Sequence, residues 1–308
     1  MRVFVTGASG WIGSAVVHEL TESGHSVVGL ARSSPAASRL EAAGVHVVEG
    51  TLDDLDVLSR AAESCDGVIH LAFKHDVAFS GDFLGAADAD RLAIETFADA
   101  LAGSGRPLVI ASGVLGLAPG RVATEGDGVD AGYQVDQFGS GPSLRYNNAL
   151  MTLSLAQRDV RSCVLRLPPT VHGDGDNGFV AALVGIARTT GVSGYVGDGM
   201  NRWPAVHRND AARLFRMALE KAPAGTALHA VGDEGVAIRD VADVIGRHLD
   251  VPVVGVAPDV AAEHFSWLSQ FIALDSPASS ELTRRSMAWE PKNLGLIADL
   301  ELGHYFSS

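Results

Sequence analysis

The chain has 308 residues, 47% of them hydrophobic, enough to bury one large core and a smaller lobe. Its formal net charge of -14 argues against nucleic acid or an anionic membrane as a partner. No run approaches the ~18 apolar residues of a membrane span, and Cys65 and Cys163 fit neither a disulfide framework nor a metal site.

The N-terminal apolar stretch breaks at Gly7, which argues against a signal peptide and makes a reduced, cytoplasmic compartment the expectation. Val3–Val5 reads as a strand. Gly7, Gly10 and Gly13 follow at intervals of three, and Trp11 to Leu20 then carries apolar residues at helical spacing. Strand, glycine turn and helix together put backbone N–H groups and a helix N-terminus against a pyrophosphate. Gly7 would permit the tight turn, Gly10 the approach of the phosphates, and Gly13 the contact of helix with strand.

The first helix ends at Gly24, and Ser26–Leu30 reads as the second strand. Ala36–Ala43 is helical, Val45–Val48 a third strand, Leu55–Ser64 helical, and Gly67–Ala72 a fourth, buried strand. A long helix over Ala86–Ala102 leads to a fifth strand, Pro107–Ala111. This βαβ rhythm with continuous apolar strands predicts an α/β fold, a Rossmann-type doubly wound parallel sheet with helices on both faces. Leu117–Pro142 is rich in Gly and Asp with little periodicity, as a functional loop would be. A helix over Ser143–Arg158 and a strand over Ser162–Leu167 follow, then Gly-rich turns among shorter elements. The helix Asp210–Glu220 and the strand Ala227–Val231 are expected to rejoin the sheet. The expected division is a core over residues 1–167, with 205–231 returning to it, and a smaller, mostly helical substrate lobe over 168–204 and 232–308.

Thr6-Gly-Ala-Ser-Gly-Trp-Ile-Gly13 resembles the TGxxGxxG fingerprint of the extended and atypical short-chain dehydrogenase/reductases, the group that contains NAD-dependent epimerases and dehydratases. Val68–Ala72, Val109–Gly113, Leu165–Gly173 and Trp203–Ala211 match that family's other landmarks in order and spacing. The resemblance covers nearly the whole chain. It implies that Thr6, Gly7, Ser9, Gly10, Trp11, Ile12 and Gly13 hold the cofactor. It also places Leu52 and Asp53 at the adenine, Leu71, Ala72 and Phe73 at the ribose, and Pro168, Thr170 and Val171 at the nicotinamide.

A dinucleotide fold that prefers NAD usually carries an acid at the end of the second strand. This chain has Leu30-Ala-Arg-Ser-Ser34 there. Arg32, with Ser33 and Arg39 nearby, suits a 2′-phosphate and makes NADPH the expected cofactor over NADH.

The family's chemistry uses a Tyr, a Lys four residues later, and a Ser after the fifth strand. Tyr146 and Ser112 occupy two of those places, whereas position 150 is Leu. The three lysines are Lys74, Lys221 and Lys292, and only Lys74 follows a strand whose end faces the cofactor. Tyr146 is thus a candidate proton donor or a packing residue, and Ser112 a carbonyl holder or a local hydrogen-bond donor. Of the eleven histidines, His70 reads as structural, while His172 and His207 fall, with Arg202 and Trp203, in segments expected to face the substrate. No HxxxH or HExxH spacing suggests a metal.

These readings converge on an NADPH-dependent ketoreductase for a bulky apolar or aromatic carbonyl compound, with Leu117–Pro142 as a lid. The chain is similar to atypical reductases of bacterial secondary metabolism that act on aromatic polyketides, which points to antibiotic biosynthesis. Two other readings stand beside it. A sugar-nucleotide epimerase or dehydratase would need the missing lysine, and an NADP(H)-sensing regulator would need no catalytic set. A monomer or a homodimer fits the family.

Overall fold

The first strands fall within one or two residues of the positions that apolar patterning selects. They are β1 (Arg2–Thr6), α1 (Trp11–Glu22), β2 (Ser26–Ala31), α2 (Ser34–Ala42), β3 (His46–Glu49), α3 (Leu55–Glu63) and β4 (Gly67–His70). A short helix α4 (His75–Phe79), α5 (Phe83–Leu101), β5 (Pro107–Gly113), α6 (Ser140–Ser154) and β6 (Arg161–Leu167) follow. The computed structural model describes residues 1–129 and 140–307, so the centre of the expected lid, 130–139, lies outside the described residues. The chain divides into two units, each taken by itself: Met1–Ser112, Gly128–Arg166 and Ala212–Leu228 form the first, and Gly113–Asp127, Leu167–Ala211 and His229–Ser308 the second.

Past β6 the elements are β7 (Thr170–His172), α7 (Phe179–Thr190), β8 (Ser193–Val196), β9 (Arg202–His207), α8 (Arg208–Lys221), β10 (Thr226–His229) and β11 (Asp233–Ala237). The chain then runs through α9 (Ile238–Leu249), β12 (Val253–Val256), α10 (Ala261–Phe265), α11 (Ser269–Ile272), α12 (Glu281–Met287) and α13 (Leu296–Glu301).

The first unit is built on a seven-stranded sheet in the order β10-β6-β5-β4-β1-β2-β3. β1 pairs in parallel with β2 and β4, β2 with β3, and β4 with β5, the doubly wound order in which a ligand sits where the winding reverses at β1 and β4. Runs such as Val3-Phe4-Val5 and Val68-Ile69 are fully buried because helices cover both faces. Phe4 meets Phe97 of α5 edge-on at 6.0 Å, at the centre of a core that includes Leu58, Ile94, Leu101 and Val164. Cys65 and Cys163 are buried free thiols of this unit.

The second unit, expected to be mostly helical, also carries short strands. It carries a three-stranded sheet, β11-β9-β7, and a two-stranded one, β12-β8. These strands are three to six residues long and flanked by glycines, too short to show a period in the sequence. Its core gathers Val184 and Ala187 of α7, Val241 and Ile245 of α9, and Trp203, Phe265, Leu268 and Leu300. The start of the expected lid is anchored here: Ala123 donates its N–H to Pro277 O and accepts from Ser279 N, and buried Glu125 accepts from Thr283 N at 2.6 Å. Among the described residues no helix is long and apolar enough to cross a membrane.

Candidate active site

The glycine turn is defined by close approach. Gly7 has φ +67°, and a Cβ on it would lie 2.8 Å from Ala72 N, so β1 and the segment after β4 touch backbone to backbone. A Cβ on Gly13 would stand 1.9 Å from Gly7 O, so the first turn of α1 rests on the carbonyl of the turn itself. Gly10 donates its N–H to Gly7 O at 2.9 Å and is the extended cap residue of α1. That helix has no side-chain cap and no acid in its first turn, which leaves its positive end uncompensated. A cradle that a Cβ would fill and an open helix N-terminus fit a dinucleotide pyrophosphate.

Thr6 acts behind this turn. Its buried Oγ1 accepts from Leu71 N and Ala72 N, both at 3.2 Å, so its own proton goes to His70 Nδ1 at 2.7 Å. His70 Nε2–H then donates to Asp90 Oδ1 at 3.1 Å, and Asp90 Oδ2 accepts from Asn148 Nδ2 of α6 at 2.7 Å. The second Asn148 proton goes to Ala87 O at 2.9 Å. Thr6, His70, Asp90 and Asn148 are at most 6% exposed, and each donor in the chain meets an acceptor. Burial pushes the Asp90 carboxyl up, but the His70 bond, the nearby Arg145 charge and Asn148 outweigh it and hold the group below the usual carboxylate range. His70 has the structural role its buried strand predicts, and its partners Asp90 and Asn148 sit at helical positions that carry no motif.

Where the adenosine is expected, Arg32 lies just past β2 with its side chain 71% exposed, and Nη1 is 3.3 Å from Asp76 Oδ2. Ser33 is the exposed cap residue of α2, with no side-chain cap bond, and Arg39 is exposed on the same helix. Asp53 is exposed and tied to Lys74, whereas Leu52 is buried in the core at 6%. Ser9, Trp11, Ile12, Leu71, Ala72 and Phe73 are half-buried around the turn.

On α6, Tyr146 is 7% exposed, and Leu150, one turn further on, is half-buried. Ser112 at the end of β5 is 4% exposed. Arg145 lays its guanidinium over the Phe73 ring, with Cζ 4.3 Å from the centroid.

The remaining candidates belong to the second unit. Pro168 and Thr170 are buried and Val171 half-buried on and before β7, and Thr170 Oγ1 donates to Pro204 O. His172 is fully buried, with Nδ1 2.8 Å from Asp299 Oδ2 and its ring edge-on to half-buried His207 at 5.5 Å. Trp203 is also core, at 1% exposure, with Nε1–H on Leu274 O. Arg202 is committed to Asp275 through its backbone N–H and guanidinium. His172 and Trp203 thus present no surface in this unit, since the parallel register that places His172 opposite His207 turns them into its core. Phe179, Trp267 and Phe271 form an aromatic group missed in the sequence, with rings 5.4 to 6.5 Å apart and Trp267 41% exposed. No three His, Cys, Asp or Glu residues cluster as metal ligands among the described residues.

Comparison with known proteins agrees with this geometry. Residues 3–105 match the model of the NAD dependent epimerase/dehydratase family. An uncharacterized protein of Schizosaccharomyces pombe is 45% identical over 99% of this chain and 100% of its own length. The sterol-4-alpha-carboxylate 3-dehydrogenase (decarboxylating) of Dictyostelium discoideum is 28% identical over 77% of this chain and 73% of its own. Among solved structures, MoeE5 in complex with UDP-glucose and NAD superposes with a TM-score of 0.76 at 22% identity, covering 98% of this chain and 96% of its own, a likeness of fold. The chain is an NAD(P)-dependent oxidoreductase and belongs to the NAD-dependent epimerase/dehydratase family, among the atypical short-chain dehydrogenase/reductases.

Proposed function

We propose that this oxidoreductase is an NADPH-dependent ketoreductase acting on a bulky apolar or aromatic carbonyl compound of polyketide type. The observation that carries the reading is α6 itself, which retains Tyr146 but has Leu150 where a lysine would sharpen the hydroxyl into a strong base. Epimerisation and dehydration begin by stripping a proton from a hydroxyl and need that base; carbonyl reduction needs only a proton given to the developing alkoxide. A bound nicotinamide supplies the hydride to the carbonyl carbon. Tyr146 is the proton donor to the carbonyl oxygen and recovers its proton from water, and Ser112 orients that oxygen. Arg32, with Ser33, supports the preference for a 2′-phosphate, since no acid stands at the end of β2.

The kinship to an enzyme named for oxidising a sterol carboxylate supports the substrate class. A second reading, a sensor that binds the dinucleotide without turnover, draws on the burial of Tyr146 and Ser112 at 7% and 4% exposure. Tyr146→Phe separates the two. In a reductase it lowers kcat by about tenfold or more, whereas a sensor shows no turnover in either form and unchanged NADPH affinity.

A further inference from the structure

Other half-buried arginines of the first unit are anchored: Arg91 donates to Asp88 and Glu95, and Arg106 to main-chain carbonyls. Arg145 of α6 is not. Its Nε is buried with no acceptor, and among the described residues neither a hydrogen bond nor an ion pair holds the guanidinium, which rests on the Phe73 ring. Asp90, whose charge reaches it, keeps one carboxylate oxygen on His70 and the other on Asn148. A guanidinium does not shed its proton in a protein, and one shielded from water with unused donors is short of an acceptor.

We propose that Arg145 is an anion-binding residue that takes a carboxylate carried by the substrate, with the Phe73 and Phe83 rings receiving the apolar body attached to it. The inference rests on the ketoreductase reading and narrows its substrate to an acidic carbonyl compound. The first unit supplies both halves of such a site. Phe73 and Phe83 are half-buried with ring centroids 5.9 Å apart, and exposed His75 stands edge-on to Phe73 at 5.0 Å. The apolar surface thus begins at solvent and leads to the guanidinium, whose Cζ is 4.3 Å from the Phe73 centroid. Phe73 also follows Ala72, whose N–H would touch a Cβ on Gly7, so the ring is next to the glycine turn.

The choice of anion follows from chemistry. The planar fork of a guanidinium matches a carboxylate with two parallel, charge-assisted hydrogen bonds, and these gain strength where water is excluded. The cofactor's own anions have other partners in this reading: the glycine turn and the open end of α1 for the pyrophosphate, and Arg32 for the 2′-phosphate. A bound carboxylate neutralises the guanidinium, so α6 still offers Tyr146 no substitute for the lysine absent at position 150.

Calorimetric titration of the NADPH-saturated protein compares 2-naphthoate with 2-naphthamide, a neutral molecule of nearly the same shape. The wild type should bind the acid at least about tenfold more tightly, Arg145→Met should bind both alike, and Arg145→Lys should keep part of the preference. NADPH affinity should stay within about threefold in both variants. Far-UV circular dichroism shows whether Arg145→Met is folded. If it is not, Phe73→Leu, which removes the ring beneath the guanidinium, should cut the preference to about threefold or less. Equal binding of acid and amide by the wild type overturns the proposal, as does a preference that survives Arg145→Met. A fall in NADPH affinity with the preference intact assigns the guanidinium to a cofactor phosphate and overturns it too. Reduction of neutral ketones without any preference for acids overturns the anion site and leaves the ketoreductase reading standing. A preference that depends on Arg145, with no keto acid reduced, supports the anion site and overturns the ketoreductase reading instead.

Discussion

Lys74 Nζ lies 2.7 Å from each carboxylate oxygen of Asp53, an ion pair that joins the segment after β4 to the loop after β3. The sequence left open whether Lys74 substitutes for the lysine absent at position 150. Its commitment to Asp53 argues against that, because the pair lies in the segment expected to meet the adenine and is partly open to solvent. Exposed pairs contribute about 0–1 kcal/mol. Lys74→Met should therefore leave kcat within about threefold and alter mainly cofactor affinity. A hundredfold fall in kcat with unchanged affinity would return Lys74 to the catalytic set.

Arg32 and Asp76 make a second exposed pair, which a 2′-phosphate would have to enter. Removing the guanidinium should weaken NADPH binding by about tenfold or more and leave NADH binding unaltered, since only NADPH carries the extra phosphate. Asp76→Ala should act in the opposite direction, by about threefold, because the carboxylate competes for the same guanidinium. Fluorescence titration of both cofactors into the three proteins checks this. Equal losses for NADPH and NADH in Arg32→Ala would remove the basis for NADPH preference.

Gly13 is the most constrained glycine of the turn. Alanine there places a methyl 1.9 Å from Gly7 O, and backbone must move to relieve it. The cost should be about 1–3 kcal/mol of stability, together with a loss of at least about tenfold in dinucleotide affinity. Urea unfolding and cofactor titration on one preparation measure both. By contrast, Gly24, with no neighbour within 4 Å but φ +80°, should accept alanine with a backbone cost alone and normal binding.

Acid should destabilise the second unit through two groups in one cluster. Burial, then the neighbouring His172, hold the His207 pKa below the usual histidine value. The imidazole stays neutral in the fold while the unfolded chain takes up a proton below about pH 6.5. Stability is therefore lost as pH falls from about 6.5 toward the folded pKa. Asp299 adds a lower window. Burial raises its carboxyl, but the His172 bond and the surrounding histidines depress it further, so its contribution is present above about pH 3.9 and lost as pH falls through the folded value. Urea unfolding between pH 7.5 and about 3 should show stability falling below about pH 6.5, with a flatter slope above about pH 5 in His207→Gln. The same slope in wild type and variant would contradict this account.

The sheet was readable because each strand from β1 to β5 is a short apolar run closed by a helix and a glycine, so period and punctuation agree. The glycine turn was readable for the same reason. What escaped was the long-range pairing of polar residues. Asp90 sits on α5 with ordinary helical neighbours, and only the fold brings it to His70 and Asn148. His172 and His207 looked like substrate contacts because their segment carries family landmarks. Yet the β7–β9 register and Asp299, more than a hundred residues away in sequence, bury the first and half-bury the second. Leu52 likewise follows a strand as an adenine contact would, but its side chain joins the core beneath. Burial depends on which face a residue takes, and around short strands and turns one position decides it.

The most direct test of the account is isotopic. Purified protein is incubated with NADPH deuterated at nicotinamide C4, as either diastereomer, and a panel of aromatic and long-chain ketones and quinones, and the products are weighed by mass spectrometry. The account predicts one deuterium on the former carbonyl carbon from one diastereomer only, lost in Gly13→Ala and reduced in Tyr146→Phe. Tight NADPH binding with no deuterium in any product would contradict it and identify the chain as a binder of the dinucleotide.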